Sequence, residues 1–133
     1  MVTVRSVLSL LALALAAALL ASGCGSSSKP YTLAATRKCL AERTGLTLRR
    51  HVDFVASTAL GGAVNVKLEA NQVTIAFALD DAEAARLGTA YRRFRGQNIG
   101  IEDVLRSQRN AVLLWEAHPS DADLATIERC LKH

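Results

Sequence analysis

His51, Asp53 and Ser57 stand within one short stretch and between them offer the three roles of a hydrolase: base, carboxylate and nucleophile. On an extended strand His51 and Asp53, two apart, share a face; Ser57 joins them only where the strand runs regularly that far. Neighbours on one strand seldom converge as a triad requires. A half-exposed polar face beside Arg49 and Arg50 is therefore the plainer expectation, and a small hydrolase using His51 and Asp53 is the alternative. His51, Asp53, His118 and His133 are also metal-ligand types, but none stands in a Cys-x-x-Cys or His-Glu-x-x-His unit, so no metal or other cofactor is expected. The loop Thr58-Ala59-Leu60-Gly61-Gly62 presents backbone N–H groups that suit an anion. No phosphate-loop lysine follows it, and a Gly-Gly pair before a strand serves as a turn.

The remaining reactive groups are the three cysteines, Cys24, Cys39 and Cys130. Cys24 closes a stretch with the order of an export signal: Arg5 near the start, an apolar run from Val7 to Leu20, then Ala21, Ser22 and Gly23. As a helix that run rises about 21 Å, short of the roughly 30 Å hydrocarbon core, so a removable leader over residues 1–23 fits better than a permanent span. Leu20-Ala21-Ser22-Gly23-Cys24 resembles the lipobox of bacterial lipoproteins. There, small residues precede a cysteine that is thioether-linked to diacylglycerol and becomes the first residue after cleavage. The resemblance implies lipidation at Cys24 and an anchor on the extracytoplasmic face of the cell membrane, although Ala21 stands where Leu is commoner. The downstream chain also resembles small lipoproteins of actinobacteria, which carries over no activity and no site residue. Ala21-Ser22-Gly23 equally satisfies the small-x-small rule of ordinary signal peptidase, which would leave Cys24 a thiol.

Lipidation turns an odd cysteine count into an even one. Cys39 and Cys130 then form one pair in an oxidising compartment, and a disulfide between them is expected. Residues 24–30, Gly/Ser-rich before Lys29 and Pro30, have no apolar side chain to bury and are expected to form a flexible tether. Residues 31–133 are the right length for a single domain. Lys and Arg exceed Asp and Glu by 16 to 12, a mild surplus that suits anionic headgroups or wall polymers and demands no nucleic acid.

The elements that must position these residues follow from periodicity and caps. Thr32 caps a helix over residues 33–44 that carries Cys39, with Gly45 as its left-handed stop. Asp80 and Glu83 form a capping-box-like start to a helix over residues 81–95, with Ala84, Leu87, Tyr91 and Phe94 on one face, Gly96 as its end, and Arg92, Arg93 and Arg95 near the negative end of its dipole. Ser120 caps a last helix carrying Leu124, Ile127, Cys130 and Leu131, and a short helix over residues 101–108 is ambiguous. Residues 46–55 alternate as a strand. Val64, Val66 and Leu68, then Val73, Ile75, Phe77 and Leu79, form a hairpin with one wet face. The unbroken apolar run Ala111–Trp115 suits a central strand. The order predicts an α+β fold: a small antiparallel or mixed sheet of about four strands with three to four helices mainly on one face. On such a frame Cys39 and Cys130 flank matching apolar stripes of adjacent end helices, where their thiols can meet.

The functional expectation is a lipid-anchored extracytoplasmic protein of the cell envelope, non-catalytic, binding an envelope partner or ligand. A structural or assembly subunit docking through its hairpin face or sheet edge is a further alternative.

Overall fold

Side-chain caps begin the longer helices where the sequence places them. The computed structural model describes residues 28–95 and 100–133; the leader, Cys24, the tether up to residue 27 and Gly96 lie outside the described residues. Thr32 accepts a hydrogen bond from the Ala35 N–H and opens α1 (Leu33–Ala41). This helix stops three residues short of the expected end, and Gly45 takes the left-handed conformation, φ 81°, in the turn that follows. Asp80 accepts from the Glu83 N–H at 2.8 Å, and a long helix, Asp81–Arg95, follows. Ser120 and Asp123 form a complete capping box on the last helix, Asp121–Glu128. Cys130 and Leu131 lie just beyond that helix, on the turn that ends it.

Five strands form one antiparallel sheet: β1 (Thr47–Arg49), β2 (Ala63–Lys67), β3 (Gln72–Phe77), β4 (Leu105–Gln108) and β5 (Ala111–Trp115), in the spatial order β1-β2-β3-β5-β4. The expected hairpin is β2 against β3, with Val64 opposite Ile75 and Val66 opposite Val73. β5 is interior and buried along its whole length, as its unbroken apolar run requires. The fold class is α+β, with one strand more than expected: β4 occupies the second half of the stretch read as a helix, which ends after one turn, Ile101–Val104. Likewise the expected strand over residues 46–55 ends at Arg49, and Asp53 caps a one-turn helix, Phe54–Ser57. In chain order the helices are α1, α2 (Phe54–Ser57), α3 (Asp81–Arg95), α4 (Ile101–Val104) and α5 (Asp121–Glu128).

Helices cover both faces of the sheet, where one covered face was expected. On the first face Val64, Val66, Val73, Ile75, Phe77, Leu113 and Trp115 pack under α1 and the chain around α5, through Leu40, Ile127, Cys130 and Leu131. On the second, Ala76, Ala78, Val112, Leu114 and Leu105 pack under α2 and α3, through Val55, Ala56, Ala84, Leu87 and Tyr91. The hairpin's wet face is narrower than expected: Asn65 and Thr74 are buried, while Lys67 is exposed and Gln72 half-buried. The small side chains Ala76, Ala78 and Ala84 leave room for α3 to lie close to the sheet. Phe94, expected on the buried stripe, lies past it and is 63% exposed, with its ring edge-on to Phe54.

The Cys39–Cys130 disulfide is present, its Cα atoms 5.3 Å apart, within the span such a bridge allows. Two buried asparagines staple further ends together. The Asn110 side chain accepts from the Tyr31 N–H at 2.7 Å and donates to the Tyr31 and Ala78 carbonyls, so it pairs like a strand residue with the chain entering the domain. Asn71 in the β2–β3 turn exchanges hydrogen bonds with Ala117 beyond β5. At Gly61 the backbone approaches Phe77 so closely that an added Cβ would lie 2.4 Å from the Phe77 carbonyl oxygen, so position 61 has no room for a side chain. Among the described residues no helix is long and apolar enough to cross a membrane.

Candidate functional site

β1, β2 and β3 present alternate residues to the second face of the sheet, and α2 and α3 cover its apolar half. The other half carries Arg49, Asn65, Gln72 and Thr74, which with His51, Val52 and Asp53 line an open cleft of about 270 Å³. A second hollow of about 380 Å³ shares Gln72 and Thr74 and reaches Leu114 and Glu116, so the two adjoin across β3. The floor is neutral and hydrogen-bonding. The Asn65 amide donates to the Thr74 hydroxyl at 3.0 Å, and Arg49 donates to the Gln72 amide oxygen at 3.2 Å. Among the described residues the Asn65 Oδ1 atom is buried and has no hydrogen-bond partner. A buried amide oxygen left so costs about 1 to 3 kcal/mol relative to a paired one. Charge stands at the rim, where Arg49, His51 and Glu116 are all exposed.

The candidate hydrolase residues meet in this neighbourhood, in other roles. Asp53 spends both carboxylate oxygens on the fold: Oδ1 accepts from the Ala56 N–H at 3.0 Å and caps α2, and Oδ2 accepts from the Tyr91 hydroxyl at 2.9 Å, tying α2 to α3. The Ser57 hydroxyl donates to the Phe54 carbonyl at 2.6 Å. His51 lines the cleft, and among the described residues no hydrogen bond joins it to Asp53 or Ser57. The expected shared strand face does not form, because Asp53 in a β conformation before Phe54 starts a helix. This arrangement makes Asp53 a structural residue with a measurable signature. Asp53→Ala is expected to cost about 2 kcal/mol in a denaturant melt, roughly half from the lost cap and the rest from the lost Tyr91 bond. Asp53→Asn, which retains a capping oxygen, should cost less, and the exposed His51→Ala close to nothing. Equal effects at 51 and 53 would refute the assignment.

The loop over residues 58–62 holds an anion of the protein's own. The Glu83 carboxylate accepts from the Leu60 N–H at 2.7 Å and the Leu79 N–H at 2.8 Å, in place of the reciprocal bond a capping box would make. Gly61 and Gly62 donate their N–H groups to Phe77 and Ala59. Arg92, read as a partner of the helix dipole, forms a bidentate pair with Glu102, with contacts of 2.5 and 3.2 Å. That hydrogen bonding holds the Glu102 carboxyl below its ordinary value and raises the Arg92 guanidinium; both groups are exposed and screened by solvent. Among the described residues no three His, Cys, Asp or Glu side chains group as metal ligands; His118 and His133 are exposed, and neither lines the His51 cleft. Trp115 lies in the core, on the interior strand β5.

Sequence reasoning did not find the cleft. Asn65, Gln72 and Thr74 were visible only as the polar half of an alternating pattern, and that pattern carries no sign of the helices that wall them in. Fold and site together define a disulfide-linked α+β domain with a polar cleft on one sheet face. Compared with known proteins, the chain matches no family model, no curated protein and no solved structure.

Proposed function

We propose that this chain is a lipid-anchored extracytoplasmic protein of the cell envelope, and that its domain is a binding module whose ligand or partner contacts the Asn65–Thr74 cleft. The observation that carries the reading is the cysteine pairing. Cys39 and Cys130 are bonded to each other, which leaves Cys24, behind its lipobox-like approach, as the single cysteine available for acylation. A bridge between distant parts of the chain also suits an oxidising compartment. Binding is supported by the unpartnered Asn65 oxygen beneath a rim of exposed polar groups, and by the commitment of Asp53 and Ser57 to the fold.

Two measurements test this. Protein taken from the membranes of an expressing bacterium should yield an N-terminal peptide that begins at Cys24 and carries a diacylglyceryl group; an unmodified Cys24 peptide would refute the anchor. For the cleft, Arg49→Glu reverses the charge of an exposed rim residue without removing a buried contact. Species that co-purify with the wild type from native membranes should be lost with Arg49→Glu at unchanged melting temperature. Their undiminished recovery would refute the cleft as the binding surface.

A further inference from the structure

We propose that Leu60 and Leu79 form a second membrane contact, which presses the tether end of the domain onto the bilayer that holds Cys24; this rests on the anchoring reading above. Glu83 builds the contact. Its two carboxylate oxygens accept from the backbone N–H groups of Leu60 and Leu79, so one buried side chain holds the two residues side by side. Their own side chains are left in solvent, 70% and 61% exposed. Single exposed leucines are ordinary on a protein surface; two clamped together by a buried carboxylate are a shaped apolar point.

The tether decides what covers them. Ser28 and Pro30 line a cleft together with Leu79, Asp80 and Arg109. The Arg109 guanidinium donates to the Lys29 carbonyl and lies over the Tyr31 ring, 4.4 Å from its centroid, so the chain is held beside Leu79 as far out as Lys29. Only three residues lie between Cys24 and Ser28, a span of about 14 Å at full extension. A Cys24 acylated at headgroup level therefore keeps this end of the domain against the interface, where apolar side chains enter about 5–10 Å. Lys29 and Arg109 are exposed at the same end, and Arg86 is half exposed while paired with Glu83 at 3.3 Å. Asp80 and Asp81 line the cleft too, so burial of the leucines leads the contact and charge is secondary.

The test uses the full acylated chain in vesicles of phosphatidylcholine with a minor share of phosphatidylglycerol, the chains brominated as quenchers. Leu60→Trp and Leu79→Trp each place a reporter at the contact, with Ala70→Trp in the β2–β3 turn at the opposite end of the sheet as control. Trp115, the one native tryptophan, is 1% exposed and gives a constant background. Both leucines are exposed, so neither replacement disturbs packing, and each position is read independently. Emission from positions 60 and 79 should shift to the blue and be quenched several-fold more than emission from position 70. The mass of the Cys24 peptide reports acylation separately. Acylated protein whose positions 60 and 79 are quenched no more than position 70 overturns the contact and leaves the anchor intact. Quenching at 60 and 79 without acylation upholds the contact and overturns the anchor. Absence of both overturns both.

Discussion

Cys24→Ser should move essentially all of the protein from the detergent phase to the aqueous phase when it is expressed in a bacterium that processes lipoproteins. The size of the effect follows from the anchor. Each buried CH₂ contributes about 0.8 kcal/mol; one acyl chain gives only marginal, reversible attachment, and the two chains of a diacylglyceryl group give stable attachment. The Leu60–Leu79 contact is small beside two acyl chains, so little residual partitioning is expected from it. The folded domain is untouched, because its disulfide uses Cys39 and Cys130, and the variant should melt at the wild-type temperature. Wild-type protein recovered in the aqueous phase would refute the anchor, as would a Cys24→Ser variant that stays in the detergent phase after its leader has been cleaved.

Reduction of the Cys39–Cys130 bridge should be the largest change in stability available in the domain. The two cysteines are 91 residues apart, so the bond restrains most of the domain, and the chain-entropy model assigns a loop of that size about 4.6 kcal/mol. Removing a native disulfide from small secreted domains costs about 2 to 5 kcal/mol, which for a domain of this length corresponds to a fall in melting temperature of roughly 10 to 20 °C. Folding should survive at low temperature. The ends joined by the bridge are also held by the Thr32 N–H donating to the Lys132 carbonyl at 2.7 Å, by the Lys132 N–H donating to the Thr36 hydroxyl, and by Leu40, Ile127 and Leu131 in one cluster. The Cys39→Ala/Cys130→Ala double variant should show the same fall and stay in the detergent phase, because anchor and bridge act on separate parts of the chain. An unchanged melting temperature on reduction would show that the bridge contributes nothing to folding.

What could be read from the sequence about this domain was what neighbouring residues settle among themselves. Thr32, Asp80 and Ser120 start helices because each places an oxygen within reach of N–H groups two or three positions on, a contact that needs no other part of the chain. The run Ala111–Trp115 announced an interior strand because five apolar residues without alternation need cover on both faces. The pairing of Cys39 with Cys130 followed from an even count once Cys24 was set aside; the helix expected to carry Cys130 ends at Glu128, and the turn beyond it brings Cys130 to Cys39.

The tertiary structure decided what depends on distant partners. Asn65 and Thr74 alternate with valines as solvent-facing residues do, yet they are buried at the floor of a cleft, paired with each other across β2 and β3, and no local pattern records that pairing. Leu105–Gln108 has little strand character of its own and becomes β4 through hydrogen bonds to β5. Asp53 reads in the sequence as a strand residue on a polar face, with a catalytic carboxylate as the alternative; its role as the cap of α2 appears only in the structure. The Tyr91 hydroxyl, 38 residues away, settles the choice by taking its second oxygen. Glu83 looked like half of a capping box until the loop before β2 came close enough to compete for its carboxylate. Local hydrogen bonds are encoded within a turn or two of chain, whereas burial and the sharing of one polar group between distant segments exist only after the layers have packed.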